Sequence, residues 1–117
     1  MAENRREIGT KKETLAIDFL KTKGVQILDR NFYFSGGELD IVAKDGEYLC
    51  FIEVKYRKND RFGCPEDSVT FAKQKKMIKG ARQYLYSKKY PEQIPCRFDV
   101  IAIHQEDITW IQNAFSL

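Results

Sequence analysis

Apolar residues recur at helical spacing in two stretches of the chain. The first stretch predicts a helix over about residues 10–23, which Gly24 ends. The second lies within residues 68–90 and predicts another helix, which Pro91 and Pro95 end. The predicted inner faces are Ile8, Leu15, Ala16, Phe19 and Leu20 in the first helix, and Met77, Ile78, Ala81, Tyr84 and Leu85 in the second.

The remaining apolar segments are short and rich in β-branched and aromatic residues, which is typical of strands. They predict a first strand interrupted near Asp29 and Arg30, a hairpin, a polar loop over 58–67, and two final strands. The strand segments are 25–28 with 31–34, 38–43, 48–57, 97–103 and 108–115. The resulting order, α-β-β-β-α-β-β, predicts a single α/β domain over residues 1–117, with a mixed sheet flanked by helices.

The hairpin concentrates the candidate chemistry. With Asp45-Gly46 as the central turn residues, Glu38 is predicted opposite Glu53, and Asp40 diagonal to Glu53. Alternation then predicts two faces. One carries Glu38, Asp40 and Val42 with Leu49, Phe51, Glu53, Lys55 and Arg57, and the other carries Leu39 and Ile41 with Tyr48, Cys50, Ile52, Val54 and Tyr56.

Asp40, twelve intervening residues and then Glu53-x-Lys55 is a spacing that nucleases use to hold a divalent metal beside a catalytic lysine. Charged groups set among apolar residues need a partner, and a cation is one such partner. Asp40 and Glu53 are therefore predicted as metal ligands, with the backbone carbonyl of Val54 as a further one. Lys55 is predicted to offset charge on the transition state. The alternative is that these charges mark the solvent side of an amphipathic hairpin.

The cation is predicted to be Mg²⁺ or Mn²⁺. His104 is the only histidine, and the three cysteines form no C-x-x-C pair, so oxygen ligands are expected. Glu38 is a candidate accessory residue beside the site. Glu13 has two interpretations, because it is either the last residue of a Thr10-x-x-Glu13 capping box or an extra metal ligand. Gln74 is predicted to point toward the sheet and the site.

Charge is unevenly distributed along the chain. Residues 68–90 contain seven basic and no acidic residues, whereas the rest of the chain has a net charge of −4 and the whole chain +3. This segment predicts an anionic partner, unless it is only a solvated lysine-rich helix. The predicted nucleic-acid contacts are Arg57, Lys73, Lys75, Lys76, Lys79 and Arg82.

No apolar run approaches the ~20 residues of a transmembrane helix. The N-terminal residues also lack the apolar stretch of a signal peptide. A cytoplasmic protein with no membrane partner is therefore predicted.

Several motifs occur together in one order along the chain. They are Gly9-x-x-x-Glu13-x-x-Ala16, Arg30-Asn31, Gly37-Glu38-Leu39-Asp40-Ile41-Val42-Ala43, Phe51-Ile52-Glu53-Val54-Lys55-Tyr56-Arg57, Lys73-Gln74, Arg97-Phe98-Asp99-Val100 and Ile111-Gln112-Asn113-Ala114-Phe115. Together they resemble the bacterial YraN-type family of predicted endonucleases over essentially the whole chain.

The resemblance implies a restriction-endonuclease-like fold of the PD-(D/E)xK superfamily, similar to archaeal Holliday junction resolvases. By position, Asp40, Glu53 and Lys55 match that superfamily's catalytic triad. Glu13 matches an acidic residue on the first helix, and Gln74 a polar helix residue near the site. Leu39 stands where the motif's proline is often found.

The leading hypothesis is a metal-dependent DNA endonuclease. Branched or structured DNA is suggested by analogy with the resolvases alone, and a symmetric junction would favour a homodimer. A second hypothesis is a non-catalytic nucleic-acid-binding module that works through the basic helix. A third is a protein-interaction domain without nucleic-acid affinity.

Overall fold

The computed structural model describes residues 5–56 and 69–116, with side chains described from Ile8 onward. Within these ranges the chain forms two helices and five strands in the predicted order. They are α1 (Arg5–Thr22), β1 (Gln26–Phe34), β2 (Gly37–Asp45), β3 (Tyr48–Tyr56), α2 (Phe71–Ser87), β4 (Cys96–His104) and β5 (Asp107–Phe115). The predicted loop over 58–67 and Arg57 lie outside the described residues.

The strands form one mixed sheet in the order β1-β2-β3-β4-β5. Neighbouring strands are antiparallel except β3 and β4, which are parallel and are connected through α2. A parallel pair needs such a crossover because the chain must return to the same end of the sheet. The mixed α/β architecture predicted from the sequence is confirmed.

Each helix packs on its own cluster of buried sheet residues. Ala16, Ile17 and Leu20 of α1 pack on one set of buried sheet residues, and Met77, Ala81 and Tyr84 of α2 pack on another. The α1 cluster includes sheet residues Ile41, Ala43, Cys50, Ile52, Ile101 and Ile103, and the α2 cluster includes Leu39, Val42, Leu49, Phe51, Phe98 and Val100.

The face assignment of Leu39 is wrong. Leu39 and Val42 pack in the same cluster although they are three residues apart, whereas strict alternation separates them. Regular alternation is therefore interrupted next to Asp40. This interruption lies in the stretch of β2 that carries the candidate site.

The register predicted for the hairpin is also wrong, by two residues. Asp45 pairs with Tyr48 and Ala43 with Cys50, so the turn residues are Gly46 and Glu47. Gly46 adopts a φ of 60°, which suits glycine at the first position of a two-residue turn. Because a shift of two residues leaves every side chain on the same face, the prediction that Val42, Leu49 and Phe51 share one face still holds.

The N-terminus of α1 differs from the prediction. The helix begins at Arg5, so Thr10 lies in its interior and cannot form a capping box with Glu13. The arginines and the glutamate that open the helix are good helix formers, which explains the extension. The predicted inner residues Ile8 and Leu15 are 37% and 43% exposed, and Ile17 is buried instead.

Helix α2 agrees with its predicted inner face. Thr70 caps its N-terminus, since its side chain accepts a hydrogen bond from the Lys73 amide at 3.2 Å. Gly80 lies so close to β1 and β2 that an added Cβ would approach Phe34 to 2.5 Å and Leu39 to 3.0 Å. Within the two described ranges, neither helix has both the length and the apolar character that a membrane crossing requires.

Candidate metal centre

Three carboxylates from α1 and β2 converge on one point. One oxygen each from Glu13, Glu38 and Asp40 lies within 4.8 Å of the others. Asp40 is 8% exposed, and the two glutamates are half-buried. Like charges this close repel one another, so the cluster requires protons or a cation to stabilise it.

Asp40 is held in place by the backbone of the neighbouring strand. Its Oδ2 accepts a hydrogen bond from the Val54 amide at 2.9 Å. The backbone pairing of β2 with β3 ends at Ile41 and Ile52. The Asp40 side chain therefore takes over the contact with β3 beyond the last backbone pair.

Glu53 lies directly beside Asp40, and not opposite Glu38 as predicted. Continuing the register one residue beyond Ile41 and Ile52 brings Glu53 opposite Asp40. The negative charge of Glu53 raises the pKa of Asp40, and the titrations of the two carboxyl groups are linked. Asp40 is thus the acid that the cluster with Glu13 and Glu38 and the pair with Glu53 have in common.

Burial raises the pKa of Asp40 to about 8, with the neighbouring charges of Glu53 and Glu13 adding to the effect. The hydrogen bond from Val54 and the charge of Lys73 act in the opposite direction. Burial likewise raises the pKa of Glu53. Asp40 therefore retains its proton at neutral pH unless a positive charge replaces it.

Lys73 supplies part of that positive charge. Its Nζ lies 3.4 Å from Glu53 Oε1. The sequence predicts Lys73 as a nucleic-acid contact, but the structure directs it toward the carboxylates. It is 37% exposed, so its ammonium group is still reached by solvent.

Two further predicted site residues are Lys55, which lies near Glu53, and Gln74, which lies in the first turn of α2. Lys55 follows Glu53 by two residues on β3, and its charge lowers the pKa of Glu53. The Gln74 side-chain amide donates to the Val69 carbonyl at 2.9 Å. Gln74 therefore secures the segment that enters α2.

Arg30 and Asn31 contact Glu13 and were not predicted as site residues. Asn31 Nδ2 donates to Glu13 Oε1 at 3.0 Å, and Arg30 Nε lies 3.7 Å from the same oxygen. Asn31 has a φ of 56°, in the left-handed region that asparagine tolerates. The sequence sign of these two residues was the polar stretch predicted to interrupt the first strand. In the structure β1 is continuous there, with a register shift between Ile27 and Asp29.

The donor set fits a hard divalent cation. Three carboxylates, those of Glu13, Glu38 and Asp40, offer oxygen donors that could hold one ion, and Glu53 lies beside them on β3. Oxygen donors of this kind are the ones that Mg²⁺ and Mn²⁺ prefer. The raised pKa of Asp40 shows that the site favours one more positive charge. The sequence left Glu13 as either a helix cap or a metal ligand. The start of α1 at Arg5 excludes the cap, and the carboxylate of Glu13 lies in the three-acid cluster.

The remaining predicted nucleic-acid contacts lie on the solvent side of α2. Lys75, Lys76, Lys79 and Arg82 are all exposed. Lys75 Nζ lies 4.6 Å from the centre of the Phe71 ring. The basic face is therefore separate from the carboxylates, although α2 carries Lys73 to Glu53.

Residues 12–103 match the family described as "Uncharacterised protein family UPF0102". The chain belongs to this family. The UPF0102 protein of Thermodesulfovibrio yellowstonii is 50% identical over 111 residues, which cover 95% of this chain and 97% of the relative. That of Lachnoclostridium phytofermentans is 46% identical over 112 residues, covering 96% and 95%. The UPF0102 protein of Vibrio parahaemolyticus is 46% identical over 115 residues, covering 97% and 95%.

UPF0102 is the family to which the YraN-type resemblance points, so that prediction is confirmed. The family description and the relatives' names state no activity. The chemistry therefore has to be inferred from the site.

Proposed function

We propose that this UPF0102 protein is a metal-dependent endonuclease that hydrolyses phosphodiester bonds in DNA. The observation that carries the proposal is the convergence of Glu13, Glu38 and Asp40 within 4.8 Å, with Glu53 opposite Asp40 on the neighbouring strand. Arg30 and Lys73 offset part of the repulsion among these acids, but the pKa of Asp40 remains raised, so a further cation would stabilise the cluster.

The chain's own residues have distinct tasks in this proposal. Asp40 and Glu53 hold the cation, with Glu13 and Glu38 completing the acidic group and the Val54 carbonyl available as a further ligand. A bound Mg²⁺ or Mn²⁺ supplies a water of lowered pKa and polarises the scissile phosphate. Lys55 stabilises negative charge that develops on the phosphate, since it lies on β3 two residues beyond Glu53.

Lys73 has a positioning task in the same proposal. Its ammonium group lies 3.4 Å from Glu53, so it holds that carboxylate in place and reduces the repulsion from Asp40. A phosphate that enters the site meets Lys73 and Lys55 as cations beside the acidic group. Branched or structured DNA is the proposed substrate, by analogy with the resolvases alone, and a homodimer suits a symmetric junction.

The test is a nuclease assay on duplex, single-stranded, flap and four-way substrates, with Mg²⁺ and with Mn²⁺. Cleavage by the wild type is expected to need the metal and to be lost in Asp40→Asn, Glu53→Ala and Lys55→Ala. Glu47→Ala is the matched control, because Glu47 is an exposed acid in the turn at the other end of the same hairpin. The proposal is overturned by an inactive wild type on every substrate, or by metal-dependent cleavage that survives in Asp40→Asn and Glu53→Ala.

The basic face of α2 favours a second candidate, a nucleic-acid-binding module without catalysis. Residues 68–90 have seven basic and no acidic residues, and Lys75, Lys79 and Arg82 are exposed. In this case the triple substitution of these three residues by glutamine abolishes function, whereas Asp40→Asn leaves it intact. The same assay panel, with binding measured beside cleavage, separates the two candidates.

A further inference from the structure

The solvent side of α2 carries a continuous row of basic and aromatic side chains. This row, called the α2 stripe, consists of Phe71, Lys75, Lys79, Arg82 and Tyr86. At 3.6 residues per turn these positions lie within about 80° of one another around the helix axis. Phe71 is 71% exposed and Tyr86 is 86% exposed. Both ends of the stripe therefore present an aromatic ring to solvent.

Two shallow grooves follow the stripe and meet at one residue. Lys75, Lys79 and Arg82 line a groove of about 460 Å³. Arg82 also lines a second groove of about 580 Å³, together with Tyr86 and Lys89. Because the grooves share Arg82, the surface is one track from Lys75, in the second turn of α2, to just beyond the end of the helix.

The charge of this track selects the kind of occupant. The residues that line the two grooves include four cations, Lys75, Lys79, Arg82 and Lys89, and one acid, Glu92, so a polyanion is electrostatically complementary. A second copy of the chain docked on the same face would place Lys75, Lys79 and Arg82 against like charges. In proteins that bind single strands, exposed aromatic rings stack the bases and neighbouring cations contact the phosphates.

We propose that the α2 stripe binds single-stranded DNA. Lys75, Lys79 and Arg82 contact the phosphates, and bases stack on Phe71 and Tyr86. The choice of DNA rests on the proposed function, since neither cations nor aromatic rings read the 2′-hydroxyl that distinguishes RNA.

The position of the stripe defines a substrate class for the proposed endonuclease. Phe71 and Lys75 flank Lys73 in sequence, and Lys73 contacts Glu53 at the carboxylates. From Phe71 to Tyr86 the helix advances about 22 Å. A strand on the stripe therefore leads away from the metal centre, as the unpaired arm of a flap or fork would.

The experiment is fluorescence anisotropy with a labelled oligothymidylate, in EDTA so that no cleavage occurs. Phe71→Ala and Tyr86→Ala are each expected to weaken binding at least about fivefold, the effect of losing one stacked base. Tyr86→Phe is the matched control and keeps the affinity, because it keeps the ring. Thermal melts monitored by circular dichroism confirm that each variant is folded.

The charge contribution is measured by a salt series. Combined substitution of Lys75, Lys79 and Arg82 by glutamine is expected to reduce the slope of log K against log[salt] by about 2, since each phosphate contact on a single strand contributes about 0.7. Lys21→Gln is the control, because Lys21 is an exposed cation at the end of α1. Its slope is expected to match that of the wild type.

Several outcomes overturn the proposal. They are unchanged affinity in both aromatic variants, tighter binding of an oligoribonucleotide than of the DNA, or binding of anionic lipid vesicles in place of the oligonucleotide. Because the measurement is made without metal, it is independent of catalysis. A protein that binds the single strand but cleaves no substrate refutes the proposed function alone, and a nuclease that ignores the stripe variants refutes this inference alone.

Discussion

Substituting Asp40 by asparagine is expected to stabilise the metal-free protein at alkaline pH. Asparagine keeps an oxygen for the hydrogen bond from Val54, but it removes the charge that repels Glu53 and Glu13. A carboxylate that binds a cation is thus expected to reduce the stability of the fold when the cation is absent.

The direction of the pH dependence follows from the pKa of Asp40, which burial raises from 3.8 to about 8. A folded-state pKa above the unfolded value means that the folded chain binds the extra proton. The associated stability is present below about pH 4 and is lost as the pH rises through about 8. The Asp40→Asn protein does not lose this stability, so its free energy of unfolding relative to the wild type increases with pH.

The magnitude has an upper limit of about 6 kcal/mol, because the pKa rises from 3.8 to about 8 and each pKa unit corresponds to 1.36 kcal/mol. Asp40 shares its titration with Glu53, so the expected gain at about pH 9 is about 1–3 kcal/mol. Near pH 4 both side chains are neutral, and the expected difference is within about 0.5 kcal/mol.

Urea unfolding in EDTA at the two pH values measures this prediction. Asp18→Asn is the control, since Asp18 is exposed on α1, and it is expected to change stability by less than about 0.5 kcal/mol at either pH. A gain in Asp40→Asn that is equal at both pH values would refute the reasoning. So would an Asp40→Asn protein that is less stable than the wild type at alkaline pH.

Three further predictions concern other parts of the molecule. Gly80→Ala is expected to destabilise the protein by about 1–3 kcal/mol in urea unfolding, because the new methyl group meets Phe34. Gly9→Ala has open space around it and is expected to stabilise the protein by about 0.5–1 kcal/mol. The reverse order of stability would contradict the packing of α2. Asp99→Ala is expected to lower the free energy of unfolding by about 3–5 kcal/mol, because fully buried Asp99 bonds Arg97 at 3.0 Å, and a change below about 1 kcal/mol would contradict this. Calorimetric Mn²⁺ affinity is expected to weaken as the pH falls below about 8, since protons compete for Asp40, and a flat profile would contradict the site.

The fold was largely predictable because each element carries its own periodicity. Helix α2 shows this most clearly, since its predicted inner residues Met77, Ala81 and Tyr84 are the ones that pack on the sheet. The start of α1 was not predictable from Thr10, because a threonine followed by a glutamate three residues later also occurs inside helices. Tertiary contacts with Arg30 occupy the Thr10 carbonyl instead.

The candidate site was predictable only in part. Spacing on one hairpin indicated Asp40, Glu53 and Lys55, and the register shift of two residues brings Glu53 from a predicted diagonal position to one opposite Asp40. The sequence offered Glu13 either as a ligand or as a cap, and the structure places it in the acidic cluster. The contact of Lys73 with Glu53 was not predicted, because it joins α2 to the sheet. Such contacts depend on how the helices pack on the sheet, and the local sequence pattern does not predict that packing.

Anomalous diffraction from crystals of the full chain grown with Mn²⁺ tests the central claim most directly. The account predicts an anomalous peak bonded to carboxylate oxygens of Asp40 and Glu53, at the point where Glu13 and Glu38 converge. The Asp40→Asn protein, crystallised in the same way, is expected to show no peak there. A wild-type map without manganese among these carboxylates, in crystals that hold it elsewhere, would contradict the account.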